Sequence, residues 1–207
     1  MAVLDIERQT IDSRKGSQGL FFVFGQLIMT TPTKTYFFPL LILLSIFCTW
    51  NTLARADEVY LEPEQFLMEV FPAKKPEPKI LWITKNLRAA TSEIMTHSKG
   101  PRRIRYWAQG SQTAWILEEI GKVKPITTGI VVDNGSIERV TVLIYRESRG
   151  WEVRYSFFTD QFLGARLVEN YELSNSIDGI SGATLSVSAL TRLAQLALYL
   201  HEQINPD

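Results

Sequence analysis

ITTGIVVDNGSIERVTVLIY, residues 126–145, contains two runs rich in β-branched side chains on either side of Asp133-Asn134-Gly135. An Asn-Gly pair is favoured at the centre of a two-residue hairpin because both positions adopt positive φ readily. Apolar residues in the second run come close to the alternation of a strand with one buried face, though not strictly. The stretch therefore predicts an antiparallel β-hairpin.

Further strand-like and helix-like runs lie on both sides of this hairpin. Runs of β-branched and aromatic residues predict strands at KILWIT (79–84), RIRYWAQ (103–109), TAWILEEI (113–120) and WEVRYSFF (151–158). Helical spacing and end signals predict helices at 62–68, 87–94, 160–167 and 185–203. Helices at both ends of a run of hairpin strands indicate an α+β fold, with a mainly antiparallel sheet and flanking helices in a single domain.

The composition narrows the classes of function. The chain has 207 residues with 22 basic and 22 acidic side chains, so no basic excess indicates a nucleic-acid groove. The single cysteine, Cys48, leaves residues 57–207 without a disulfide, a thiol nucleophile or a cysteine metal site. His97 is predicted to end the helix before it, and His201 to lie on a helix flank near the C-terminus. We therefore expect neither a catalytic group nor a metal site.

The N-terminal part of the chain has the pattern of a targeting segment. YFFPLLILLSIFCTW, residues 36–50, carries no charge, and ARA at 54–56 has the small-x-small pattern of a signal-peptidase site. The run is shorter than the roughly 20 residues that span a bilayer comfortably. Two alternatives stay open, a cleaved secretory signal or an uncleaved anchor in the inner membrane. In either case residues 1–56 precede one domain outside the cytoplasm, residues 57–207, and Met29 offers an alternative start.

A stretch rich in glycine and hydroxyl groups, DGISGATLS at 178–186, precedes the last predicted helix. Its glycines permit positive φ and close backbone approach. The start of the helix offers unpaired N–H groups and a partial positive charge, which together suit a phosphate. The other interpretation is that Thr184 caps the helix and the glycines form a tight turn. Spacing alone favours this simple cap.

The letters DGISGAT at 178–184 resemble the flavinylation motif of the FMN-binding domain family. That family includes flavoprotein subunits of the Rnf and Na⁺-translocating NADH:quinone reductase complexes. The order of the hairpin, the ESRG run at 147–150 and the FTDQFLG run at 158–164 is also similar to the family. The resemblance extends over about residues 125–198, and it implies that residues 57–207 form an FMN-binding domain.

In such proteins the threonine at the position of Thr184 carries FMN through a phosphoester bond. The resemblance implies a maturation partner, a separate Mg²⁺-dependent flavin transferase that uses FAD as donor and releases AMP. Gly182 and Ala183 are expected to give access to the hydroxyl because they are small, and Leu185 is included in the cofactor site. In-line displacement at phosphorus requires an exposed nucleophile of this kind.

Two further residues of the motif have alternative roles. Ser181 is expected either to hydrogen-bond the phosphate or to serve only as a turn residue. Asp178 is expected either to be recognised by the transferase or to bond the N–H groups of its own loop as an Asx turn. The motif includes Asp178, which favours recognition.

The function implied by the resemblance is electron transfer outside the cytoplasm, as a carrier or redox subunit rather than a stand-alone enzyme. Its partners would be membrane or periplasmic redox proteins, and no nucleic acid is expected. A covalent tether suits export because a loosely bound cofactor is easily lost outside the cytoplasm. The alternative is a non-redox accessory or binding module that uses the loop before the last helix as an anion site.

One departure from the family concerns the surroundings of the flavin ring. Many relatives have a Glu-Thr-Pro-Gly loop, whereas this chain has ESRGW at 147–151. Trp151, Trp107 and Tyr106 are candidates for stacking on the isoalloxazine ring. Aromatic residues on strands, however, more often pack in the core or in pairs across the sheet.

Overall fold

The computed structural model of the protein describes residues 57–97 and 100–204. The signal or anchor predicted within residues 1–56 therefore lies outside the described residues. None of the helices in the described part of the chain combines the length and apolar character that a bilayer span requires.

A single antiparallel sheet organises the described residues, with strands in the order β1-β6-β5-β4-β3-β2. Its six strands are β1 (Glu58–Val59), β2 (Lys79–Trp82), β3 (Arg103–Gln109), β4 (Gln112–Ile120), β5 (Pro125–Asp133) and β6 (Ser136–Tyr145). The helices are α1 (Pro63–Val70), α2 (Lys85–Ile94), α3 (Ser156–Thr159) and α4 (Thr184–Ile204). The predicted α+β class is confirmed.

The hairpin predicted from residues 126–145 forms between β5 and β6. Asp133 pairs with Ser136, and the two residues between them have positive φ, 49° at Asn134 and 71° at Gly135. Positive φ at both central positions is the geometry of a type I′ turn, which matches the twist of the flanking strands. Two register shifts along this pair, one of them between Val131 and Val132, account for the imperfect alternation of apolar residues.

The larger of two cores lies between the sheet and α4. The apolar face of α4 packs here against side chains of β4, β5 and β6, and its fully buried members include Leu190, Leu193, Ala194, Ala197 and Leu200. This is the face that helical spacing predicts. The start of α4 is thereby fixed relative to the ends of the central strands.

The smaller core lies on the opposite face of the sheet, beneath α1. Phe66 of α1 is fully buried and lies directly over Gly129 in β5. A Cβ at Gly129 would lie only 2.7 Å from Cζ of Phe66, so the aromatic ring occupies the space of a side chain. Pro63 begins α1, where its missing N–H costs no helical hydrogen bond.

The strand predicted at 151–158 and the helix predicted at 160–167 are both wrong. Residues Trp151–Arg154 form a 3-10 turn, which is followed by α3 and by a second 3-10 turn at Asp160–Phe162. The buried side chains of this segment are spaced as on helical turns and include Val153, Phe158 and Phe162. Composition alone suggested a strand because aromatic and β-branched residues favour strands in general. The segment begins with a turn at Gly150, whose φ is 83°.

Candidate functional site

The loop before α4 places the Thr184 hydroxyl at the surface. Gly182 adopts φ 82°, and the N–H of Ala183 donates to the carbonyl of Ile180 at 2.9 Å. Ala183 is buried, while Thr184 and Leu185 are exposed. Ala183 is therefore small because it packs against the interior, and of the two small residues only Gly182 leaves space beside the Thr184 hydroxyl.

Thr184 is the first residue of α4 rather than its cap. The N–H of Val187 donates to the carbonyl of Ala183 at 2.9 Å, which places Ala183 at the cap position. Within the described residues the Thr184 hydroxyl makes no hydrogen bond, and the backbone N–H groups of Thr184, Leu185 and Ser186 have no acceptor. Unpaired donors at the positive end of a long helix favour an anion. This observation supports the phosphate interpretation over the simple cap.

A buried hydrogen-bond cluster holds the start of α4 against the end of β6. The Tyr145 hydroxyl donates to the carbonyl of Arg149 and lies 2.9 Å from Oγ of Ser186. Burial raises the pKa of Tyr145, although the Ser186 contact works in the opposite direction. The phenol therefore remains protonated at neutral pH, and Ser186 donates to it.

Gly150 closes this cluster from the loop side. A Cβ at Gly150 would lie 2.8 Å from Oγ of Ser186 and 3.2 Å from Cβ of Ala183. Gly150 also adopts φ 83°, a region that other residues rarely occupy. The loop at 147–150 thus contacts the first turn of α4, which brings the ESRG and SGAT segments together.

Glu147 anchors the other end of the same loop. Its Oε1 accepts hydrogen bonds from the backbone N–H groups of Lys122, Val123 and Lys124, the last at 2.8 Å. Partial burial works to raise the pKa of Glu147, but the three donors together outweigh burial and lower it. The carboxylate is therefore ionised at neutral pH and ties the loop to the turn between β4 and β5.

The segment that leads into the motif is held by side chains of the preceding turn. The N–H of Asp178 donates to Oε1 of Gln161 at 2.7 Å, and Nδ2 of Asn175 donates to the carbonyls of Gln161 and Leu163. The carboxylate of Asp178 and the hydroxyl of Ser181 are exposed and have no hydrogen-bond partner within the described residues. The Asx turn considered for Asp178 is therefore absent, and its carboxylate faces solvent.

The three candidate aromatic residues have different surroundings. Trp107 is buried in the core beneath α1, and Tyr106 stacks on Trp115 with ring centroids 5.0 Å apart. Trp151 directly follows Gly150 and is 39% exposed, so it is the one of the three whose side chain is accessible to solvent beside the loop. Its ring contacts Tyr155 edge-on at 5.7 Å, and the guanidinium of Arg154 lies 5.1 Å from its centroid.

His201 has a different environment from the predicted helix flank. It is 4% exposed, its Nδ1 lies 2.8 Å from Oγ of Thr113, and its Nε2 accepts from the N–H of Gly135. Because Nε2 accepts, the ring is neutral with its proton on Nδ1. Burial lowers the pKa of His201, although Asp133 works to raise it. His201 lies near the C-terminus of α4, as predicted, but its side chain is buried because the hairpin turn covers this end of the helix.

Sequence reasoning missed the residues that hold the loop in place. Tyr145 and Ser186 are 41 positions apart, and Asp178 and Gln161 are 17 apart. Neither pair leaves a periodic or local signal in one sequence. The ESRG run belongs to the order shared with the family and also includes a departure from it, but the sequence does not indicate that its glycine packs against the motif.

Comparison with known proteins agrees with this arrangement. Residues 121–199 match the family model of the FMN-binding domain, a span that contains both the ESRG loop and the SGAT segment. No curated protein matches the chain significantly. The match assigns residues 121–199 to an FMN-binding domain and supports a flavin-binding protein.

Proposed function

We propose that the protein carries FMN covalently on Thr184, through a phosphoester bond, and passes electrons outside the cytoplasm as a carrier or redox subunit. The observation that carries the proposal is the exposed Thr184 hydroxyl, which has no hydrogen-bond partner within the described residues and stands beside three unpaired backbone N–H groups. In a capping role the hydroxyl oxygen would accept a hydrogen bond from a backbone N–H of the first helical turn. Attachment of FMN requires instead a hydroxyl that is accessible and not engaged in such a bond.

The residues present suit the phosphate end of FMN. The N–H groups of Thr184, Leu185 and Ser186 supply donors, and the hydroxyl of Ser181 is available as another. The helix dipole adds a favourable field at the same point. The exposed apolar side chains of Leu185 and Trp151 are the residues that would contact the ring. When bound, FMN supplies one- and two-electron redox chemistry without acid–base groups from the protein.

Attachment requires a nucleophile and an enzyme that supplies the activated flavin. In the proposed maturation the Thr184 oxygen forms a bond to the phosphorus next to riboflavin in FAD. The bond from that phosphorus to AMP breaks, AMP leaves, and the threonine proton is lost to solvent or to the enzyme. Mg²⁺ on the transferase neutralises the charge that develops. The free carboxylate of Asp178 is available for recognition by that transferase.

Export is proposed from the targeting pattern within residues 1–56, with anchoring through residues 36–50 as the alternative to cleavage. The redox partners are then membrane or periplasmic proteins. A covalent link keeps the cofactor on the protein in that compartment, where a dissociated flavin is lost by dilution.

The proposal is tested by producing the chain with a flavin transferase and precipitating it with acid. Thr184→Val should lose all flavin fluorescence from the pellet, while Thr184→Ser keeps a hydroxyl and should retain part of it. Thr191→Val is the matched control, because its hydroxyl donates to the carbonyl of Val187 further along the same helix. Flavin retained in Thr184→Val would contradict the tether. Flavin absent from the wild type would favour the accessory module.

A further inference from the structure

A cavity that the flavin function does not use lies between α2, β3, β4 and the middle of α4. It has a volume of ≈ 380 Å³, at the lower end of the range for small-molecule sites. Its apolar lining includes Ile83, Met95, Ile104, Leu117 and Leu196. Leu196 is twelve residues beyond Thr184, or about 18 Å along the helix axis, so the cavity is separate from the flavin loop.

One wall of the cavity is a buried carboxylate whose charge is already compensated. Glu119 is 6% exposed, and its Oε1 accepts from Nη2 of Arg192 at 3.2 Å. Its Oε2 lies 3.1 Å from Nε2 of His97, whose side chain is 42% exposed. Glu119 thereby holds the imidazole in one orientation at the mouth of the cavity, with the ring still open to solvent.

The other polar group of the cavity is a cation without a counter-ion. Arg88 is half-buried, and its Nη2 donates to the carbonyl of Ile83 at 3.4 Å. Within the described residues its guanidinium has no acidic partner. Arg103 and Arg105 also border the cavity, but they alternate along β3 with the inward-facing Ile104, so their guanidinium groups lie on the other side of the sheet. Arg88 is therefore the uncompensated charge beside the apolar walls.

We infer that this cavity binds a small monoanionic acid, a carboxylate on a compact apolar body. The carboxylate pairs with the free donors of Arg88, which present a planar fork suited to two oxygens. The apolar body lies against Met95, Leu117 and Leu196. One guanidinium without an acidic partner matches one negative charge.

The test uses octanoate as probe and the full-length chain, with calorimetry for affinity and ¹³C-methyl NMR for location. We expect saturable binding, with shifts at the methyls of Ile83, Met95 and Leu196. Octanamide, which has the same body without the charge, should bind at least about tenfold more weakly. Arg88→Gln should weaken octanoate by a similar factor and leave octanamide unchanged.

Two more variants distinguish binding in the cavity from binding elsewhere on the surface. Ser92→Trp places a large side chain on the α2 side of the cavity and should abolish binding, with circular dichroism as the check on folding. Arg166→Gln removes an exposed arginine elsewhere and should leave octanoate binding unchanged. No saturable binding, equal binding by Arg88→Gln, or shifts centred on Trp151 and on Phe157, an exposed aromatic residue of α3, would each overturn the inference.

Discussion

At the scale of single residues, the site depends on contacts that only particular side chains permit. A residue without a hydroxyl at position 186 would remove one of the two hydrogen bonds of the Tyr145 phenol and leave it with the Arg149 carbonyl alone within the described residues. Gly150 must lack a Cβ, since the first turn of α4 occupies that space. The exposed Thr184 is thus held by a buried layer directly beneath it.

Gly150→Ala should destabilise the fold, and its comparison with a control separates the cost of positive φ from the cost of a close contact. The substitution adds strain at φ 83° and a clash with Oγ of Ser186 at 2.8 Å. Gly164→Ala is the matched control, since Gly164 has φ 76° with nothing within 4 Å of its Cβ position. Strain at positive φ costs about 1–3 kcal/mol. Urea unfolding should show a larger loss for Gly150→Ala, and equal losses would mean that the close contact is unimportant.

His201 predicts a pH dependence of stability. Its folded pKa lies below the ordinary value of 6.5, chiefly because of burial, so the unfolded chain takes up the proton first as pH falls. Stability should therefore decrease from about pH 6.5 downward until the folded pKa is passed. His201→Gln should reduce this decrease between pH 7.5 and 5.5, measured by urea unfolding. An unchanged pH dependence of stability in His201→Gln would contradict the assignment.

At the scale of elements, the hairpin, both helices that flank the early strands, and α4 could be predicted from one sequence. Their signals are local: the Asn-Gly turn, Pro63 at a helix start and apolar spacing along α4. The segment after Gly150 could not be predicted, because its turns are fixed by packing of Phe158 and Phe162 against the sheet. The sequence motif identified Thr184 as a candidate. The loop at 147–150 that packs beneath it could not be predicted, because its contacts join residues that are distant in sequence.

The docking of α1 gives a prediction at this scale. Gly129→Ala should place a methyl 2.7 Å from the Phe66 ring and destabilise the protein by about 1–3 kcal/mol, the usual cost of overpacking. Phe66→Ala removes the ring, and in that background Gly129→Ala should add little further loss. A double-mutant cycle by chemical denaturation measures the difference. Additive losses would show that Phe66 does not restrict residue 129.

At the scale of the whole molecule, α4 presents two kinds of surface along its length, both on the same face of the sheet. The start of the helix presents Thr184 and unpaired donors beside the exposed Trp151, and its middle forms one wall of the cavity with Arg88. The family match covers the first region and α4 as far as residue 199, but none of α2, β3 or β4. The cavity is therefore built largely from elements that precede the matched span.

The central claim is tested most directly by intact mass of the exported protein produced with a flavin transferase. We expect a gain equal to FMN less one water. Trypsin cleaves after Arg166 and Arg192, so the gain should map to the peptide 167–192, and fragmentation should place it on Thr184 rather than Thr191. An unmodified mass despite an active transferase, or a gain on another residue, would contradict the proposed attachment.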